Sequence, residues 1–223
     1  MSTTRIVDLS YTVSSEMLVY PNTERPSFRW AGRVNSEGYN LTRMTMIVHT
    51  GTHADAPLHF LDGVPAIDEI PLERFFGKCR LFRFAPAPAG QAISLADVRA
   101  SGFDLDEGDI FVLATGIEKL AERREYNLLF PYPSDDLIGW LIAKKIGAYM
   151  TDATSLDPVG AKESPSHHRI LGAGIPIVEN LRNLGELPVG RAFVICAMPL
   201  KLGGREGAPC RAIALPELES LTR

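Results

Sequence analysis

Three of the chain's five histidines and one carboxylate fall within a single stretch, His49-Thr50-Gly51-Thr52-His53-Ala54-Asp55-Ala56-Pro57-Leu58-His59. Neutral imidazole and carboxylate are common donors to zinc, manganese and similar divalent ions. Metal–nitrogen bonds run to about 2.0–2.1 Å, whereas an extended chain advances about 3.3 Å per residue. A straight run from His49 to Asp55 is therefore too long for one ion to gather His49, His53 and Asp55. The chain must bend between them; Gly51 permits the bend, and Pro57 stops regular structure soon after. Thr52 and Ala54 are small and leave room for an ion. The spacing differs from the His-Glu-x-x-His of zinc proteases, which needs a glutamate after the first histidine and an unbroken helix. His59, four residues beyond Asp55 and past Pro57, reads as near the metal but not on it, which suits a general acid/base.

The other two histidines, His167 and His168, are adjacent and lie far down the chain. Ser164-Pro165-Ser166 reads as the start of a short helix that contains both. Neighbours on a helix point about 100° apart, so the two are not expected to serve one ion equally. Twelve residues after His167, Glu179 closes the apolar run Ile175-Pro176-Ile177-Val178. A buried glutamate is costly unless something pairs with its charge, and a metal supplies such a partner.

The first motif, His-x-Gly-Thr-His-x-Asp-x-Pro-x-His, resembles that of the cyclase / kynurenine formamidase family of metal-dependent hydrolases, and stands here without substitution. The family's second motif, a histidine and a glutamate at this interval followed by Asn-Leu, reads as His167, Glu179, Asn180 and Leu181; His168 is one residue out of register. The resemblance implies a swivelling β/β/α fold and a homodimer or larger assembly, up to a tetramer. It implies one divalent metal on His49, His53 and Asp55 and a second on His167, with Asp55 and Glu179 able to serve both. Zn2+, two per subunit, or Mn2+ suits these donors. A metal lowers the pKa of bound water toward neutrality, and the resulting hydroxide would attack an amide carbonyl. His59 would then protonate the departing nitrogen. By resemblance the leading substrate is N-formylkynurenine, in tryptophan catabolism; isatin-like cyclic amides are a close rival, and lactones a further one. Family members also set an aromatic residue against the substrate before a proline, commonly Trp. Tyr20, before Pro21, is the candidate here, and a packed loop aromatic is its plainer reading.

At 223 residues the chain is expected to be one hydrolase domain, 1–223. Apolar residues make up 45% and charged residues 22%, an ordinary soluble composition. A net charge of -4 argues against nucleic acid or an anionic membrane as partner. No apolar run of about 18 residues could span a bilayer. Cys79, Cys196 and Cys210 form no Cys-x-x-Cys, and the first residues carry no apolar signal region, so a reducing cytoplasm is expected.

The elements read as mixed α/β. Strands are expected over Arg5–Val13, Leu41–Val48, Cys79–Phe84, Asp109–Ala114, Gly147–Met150, Ile175–Val178 and Ala192–Met198. Leu41–Val48 is read as a strand with one wet face that delivers the chain to His49. Helices are expected over Pro71–Gly77, from Ser94 through Ala100, after Gly116, over Asp135–Lys145 and over Leu215–Leu221. Asp152, Ser155 and Asp157 either help hold the loop around the site or make ordinary turn hydrogen bonds. Gly207, Pro209 and Arg211 resemble a family turn, with Arg211 either orienting an acid or solvated.

Two other classes compete. A serine or cysteine hydrolase without metal lacks a Gly-x-Ser-x-Gly elbow here. A non-catalytic metal- or ligand-binding protein on the same scaffold would have no use for His59 beside a full donor set.

Overall fold

The computed structural model describes residues 5–219. Nine strands form one mixed sheet, in the order Val7–Asp8, Ile213–Leu215, Phe193–Cys196, Phe76–Arg83, Ile110–Ala114, Tyr149–Thr151, Ile177–Glu179, His53–Asp55, Gly207–Pro209. The middle of the sheet, from Phe76–Arg83 to Ile177–Glu179, is parallel. Parallel strands lie covered on both faces and therefore read as unbroken apolar runs. Ile110–Ala114 has every residue buried, as does Tyr149–Thr151.

The helices Leu95–Ala100, Asp135–Ala143 and Pro165–Gly172 lie between the strands in sequence. Ser94 caps the first, accepting from the Asp97 N–H while Asp97 reaches back, the reciprocal arrangement of a capping box. The helix Pro165–Gly172 buries Ser166, His167, Ile170 and Leu171 and leaves His168 exposed. The helical period thus turns His167 inward and its neighbour outward. One apolar core gathers around Phe75, Ile110, Met150 and Ile195, and another around Phe111, Leu137, Tyr149 and Ile177. Successive residues of one strand, Ile110 and Phe111, feed different cores, as the two faces of a sheet require.

Several elements differ from expectation. Leu41–Thr45 is a strand, but it pairs only with Ser27–Gly32 in a two-stranded ribbon whose Phe28, Trp30, Leu41 and Met44 are exposed. Both its faces are wet, and it ends short of His49, which sits in the turn that follows. The expected helix Pro71–Gly77 is a single 3-10 turn, Leu72–Arg74, because Phe76 and Gly77 already belong to a sheet strand. The helix from Asp135 ends at Ala143, and Lys145 takes a positive φ of 51°. Gly207–Pro209 is an edge strand and not a turn. The expected helix Leu215–Leu221 starts inside a strand, Ile213–Leu215, and its last residues lie outside the described ones. The first strand shrinks to Val7–Asp8 with a bridge at Ser10. Among the described residues no helix is long and apolar enough to cross a membrane.

Candidate metal centre

The two distant motifs meet through the sheet. His53–Asp55 and Ile177–Glu179 pair antiparallel, with Glu179 opposite His53 and Ile177 opposite Asp55. Strand residues two apart share a face, so His53, Asp55 and Glu179 emerge together while Ala54 and Val178 turn into the apolar core. Gly207–Pro209 closes the other side of the His53–Asp55 strand.

Gly51 takes φ +66° and makes the bend that the spacing demanded. Its carbonyl accepts from His53 Nδ1 at 2.8 Å. In the neutral ring that bond fixes the tautomer and leaves Nε2 as a free donor of electrons. Nε2 of His53 lies 3.3 Å from Asp55 Oδ1 and 3.6 Å from Glu179 Oε2. His49 directs Nδ1 to Asp55 Oδ1 at 2.7 Å, and its ring stacks on His59 with centroids 3.9 Å apart. Its Nε2 lies 3.6 Å from Glu206 Oε1. Gly207 packs against this ring: a Cβ there would fall 2.7 Å from His49 Cε1 and 2.7 Å from the Ala54 carbonyl oxygen.

His167 comes from the other motif and reaches Glu179 Oε1 with Nε2 at 3.2 Å. Its Nδ1–H donates to Asp157 Oδ2 at 2.5 Å. The same carboxylate accepts from the backbone N–H groups of Ser166 at 2.7 Å and His167 at 3.2 Å. Asp157 therefore caps the start of this helix. Ser164 stands at the N-cap with φ 41° and makes no side-chain cap bond. Asp152, by contrast, folds back on Thr115 and Gly116 amides at 2.8 Å, away from the donors.

The donor atoms of His53, Asp55 and Glu179 lie within 4.8 Å of one another, as do those of His49, Asp55 and His59. Asp55 is common to both groups. His49 Nε2 and Asp55 Oδ2 are buried with no hydrogen-bond partner. Orphaned buried lone pairs destabilise a fold unless something occupies them, and a cation at imidazole and carboxylate donors meets that need. The residues fit a divalent metal.

The electrostatics agree. Burial works against the His53 imidazolium, yet Asp55 and Glu179 outweigh it and lift its pKa to about 9. Burial likewise opposes charge on His167, and Asp157 with Glu179 lifts it to about 10. Burial alone would raise Asp55, but His53 and His49 hold it well below the usual carboxylate range. Burial pushes Glu179 up. His59 goes the other way: burial is the main cause, helped by its histidine neighbours, and its pKa falls to about 4.

A cavity of about 1310 Å³ opens over these groups, and Tyr20, His59, Phe60, Asn180 and Arg182 are among its lining residues. Tyr20 is 47% exposed. Arg211 is not among the lining residues; it forms a two-pronged pair with Asp8 at 2.9 and 2.8 Å. Thr52 ties the motifs together, donating to the Asn180 carbonyl at 2.6 Å and accepting from the Tyr11 N–H at 2.9 Å. Neither Asp157's hold on His167 nor the role of Thr52 was assigned from sequence. The nearest signal was an acid ten residues before a candidate ligand.

Residues 7–158 match the family model described as "Putative cyclase". Kynurenine formamidase of Salinibacter ruber is 32% identical over 213 residues, 93% of this chain and 96% of that protein. The chain belongs to the cyclase family. It is a metal-dependent hydrolase of that family, which also takes in kynurenine formamidases and isatin hydrolases. Kynurenine formamidase of Bacillus mycoides is 27% identical over 97% of this chain and the whole of that protein. Among solved structures, isatin hydrolase A from Labrenzia aggregata, bound to benzyl benzoate, superposes with a TM-score of 0.85. It is 27% identical and covers 96% of this chain and 94% of its own.

Proposed function

We propose that this chain hydrolyses the carbon–nitrogen bond of an aryl amide, with N-formylkynurenine as the open-chain substrate. The observation that carries the reading is the donor cluster of His53, Asp55 and Glu179 lying beside a neutral His59 in one cavity. The formamidase relatives support the open-chain substrate. The fold of isatin hydrolase A supports a second reading, opening of an isatin-like ring. Both substrates share an aryl nitrogen bonded to the carbonyl that is attacked.

In this reading His49, His53 and Asp55 would hold one divalent cation, Zn2+ or Mn2+, and His167 a second, with Asp55 and Glu179 able to contribute to either. Bound there, the metal supplies Lewis-acid polarisation of the carbonyl and acidifies water. His53 and His167 present Nε2 because Gly51 and Asp157 occupy their Nδ1–H groups. His59, uncharged at neutral pH, accepts the proton of the attacking water. It then passes that proton to the departing aryl nitrogen, which leaves poorly as an anion. Tyr20 lies along the cavity wall as a contact for the aromatic ring.

The exposed apolar ribbon of Phe28, Trp30, Leu41 and Met44 supports a homodimer or tetramer, since an isolated two-stranded ribbon is marginal in water. Three unpaired cysteines support a reducing, cytoplasmic setting. The test is removal of metal with a chelator and reloading with zinc or manganese, assayed on N-formylkynurenine and on isatin. Metal-restored hydrolysis of either is expected, and its ratio chooses between the two readings. Full activity in chelator would end both.

A further inference from the structure

The geometry points to an anion-binding subsite formed by Arg182 and Tyr11 on the cavity wall, which holds a substrate carboxylate remote from the scissile bond. The inference deepens the hydrolase reading and rests on it for the identity of that bond.

Arg182 and Tyr11 both line the cavity. The guanidinium lies over the Tyr11 ring, 5.1 Å from its centroid. Arg182 Nε is buried without a hydrogen-bond partner, and the Tyr11 hydroxyl, near that of Tyr126, makes no bond of good geometry. Two donors lacking a good bond thus sit in one stacked pair. Among the described residues no carboxylate pairs with Arg182. Asp8, whose carboxyl is held low mainly by Arg211, has both oxygens taken by that arginine. Glu186, also on the cavity wall, is paired with Arg5.

The pair is also held in place. Arg182 N–H donates to the Leu9 carbonyl at 3.0 Å, and Tyr11 N–H to Thr52 Oγ1 at 2.9 Å. Arg182 follows Glu179 by three residues, so its backbone lies at most about 10 Å along the chain from the metal donors. A guanidinium fork matches a carboxylate in shape and charge. Glu118 and Glu122 line the same cavity. A wall carrying both signs suits a zwitterionic amino-acid arm, with the ammonium toward the acids and the carboxylate on Arg182. A doubly charged phosphate would meet those glutamates unfavourably. The substrate class is therefore an N-acylated aromatic amine that bears an amino-acid arm. An unopened isatin ring has no such anion.

The experiment compares N-formylkynurenine with N-(2-acetylphenyl)formamide, which keeps the ortho-acyl formanilide and lacks the arm. Arg182→Gln should shrink the KM preference for the armed substrate about 10–100-fold, the range for a lost charge-assisted bond. Its kcat on that substrate should move far less. Arg182→Lys should restore part of the preference, and serves as the variant if the glutamine form melts early. Calorimetry with kynurenine against 2-aminoacetophenone reads the subsite without turnover. Wild type should bind kynurenine more tightly, and Arg182→Gln should lose that margin. Equal weakening of both ligands, or no margin in wild type, would overturn the subsite. Kynurenine binding that depends on Arg182 without hydrolysis of either formamide would keep the subsite and remove the hydrolase reading.

Discussion

Glu179 faces His53 across an antiparallel pair, and its Oε2 stands 3.6 Å from His53 Nε2. Two stretches separated by more than a hundred residues are thereby locked into one donor group by backbone hydrogen bonds. His53, Asp55 and Glu179 sit on strands of the main sheet, so their spacing is set by the scaffold and not by a loop.

Glu179→Gln keeps the side chain's shape and removes its charge. The sheet register should survive, with an unchanged circular dichroism spectrum. Metal content should fall by at least one equivalent per chain, and turnover by more than about 100-fold, beyond the 10–100-fold of an outer-shell change. Elemental analysis of the purified variant checks this; full metal occupancy would remove Glu179 from the donor set.

His59→Ala should keep its metal and lose about 10²–10⁴-fold in kcat, the range for general acid–base catalysis. Its ring also stands in a donor group with His49 and Asp55. Loss of a metal equivalent in this variant would make His59 a ligand.

Asp157→Asn addresses orientation alone. The asparagine oxygen can still take the Ser166 N–H, so the Pro165–Gly172 helix should persist. The grip on His167 Nδ1–H weakens, and metal affinity should drop about 10–100-fold. Nitrogen-15 spectra of the metal-free protein should show the His167 imidazolium giving up its proton at lower pH, because the Asp157 carboxylate that helps raise its pKa is gone. An unchanged ring signal and unchanged affinity would confine Asp157 to capping.

Metal uptake should release protons. His53 and His167 have raised pKa values of about 9 and 10 without metal, and a ligand must be deprotonated. At pH 7 both carry protons that a cation displaces, so affinity should climb with pH up to about 9–10. Calorimetry in buffers of different ionisation enthalpy counts those protons. The same shifts stabilise the metal-free fold. That contribution is complete below the unfolded histidine value near 6.5 and disappears as pH rises through 9–10. The metal-free Tm should fall across that window, and a flat profile would contradict these shifts.

Part of the site was legible because turn and helix rules act locally. Gly51 was read as the bend, and helix geometry set His167 and His168 on different faces; the short strand His53–Asp55, which puts both donors on one face, was not expected. What stayed hidden was long-range pairing. Leu41–Val48 alternates like a half-buried strand, yet its partner is another exposed strand, and alternation cannot name a partner. Asp157 is an ordinary turn acid by composition, and only the folded chain lays its carboxylate on the His167 helix. Leu215–Leu221 has helical spacing, but pairing of Ile213–Leu215 with Val194–Cys196 overrode it.

Ala54 lies between the two donors of its strand. If the chain slid by one position against Ile177–Glu179 during folding, Ala54 would turn outward and both donors would be driven into hydrocarbon. A mispaired molecule would be blind to the ion, while a correctly paired one would be trapped by it. A bound cation would thus act as a proofreader of assembly, and refolding yield should depend on when it is added.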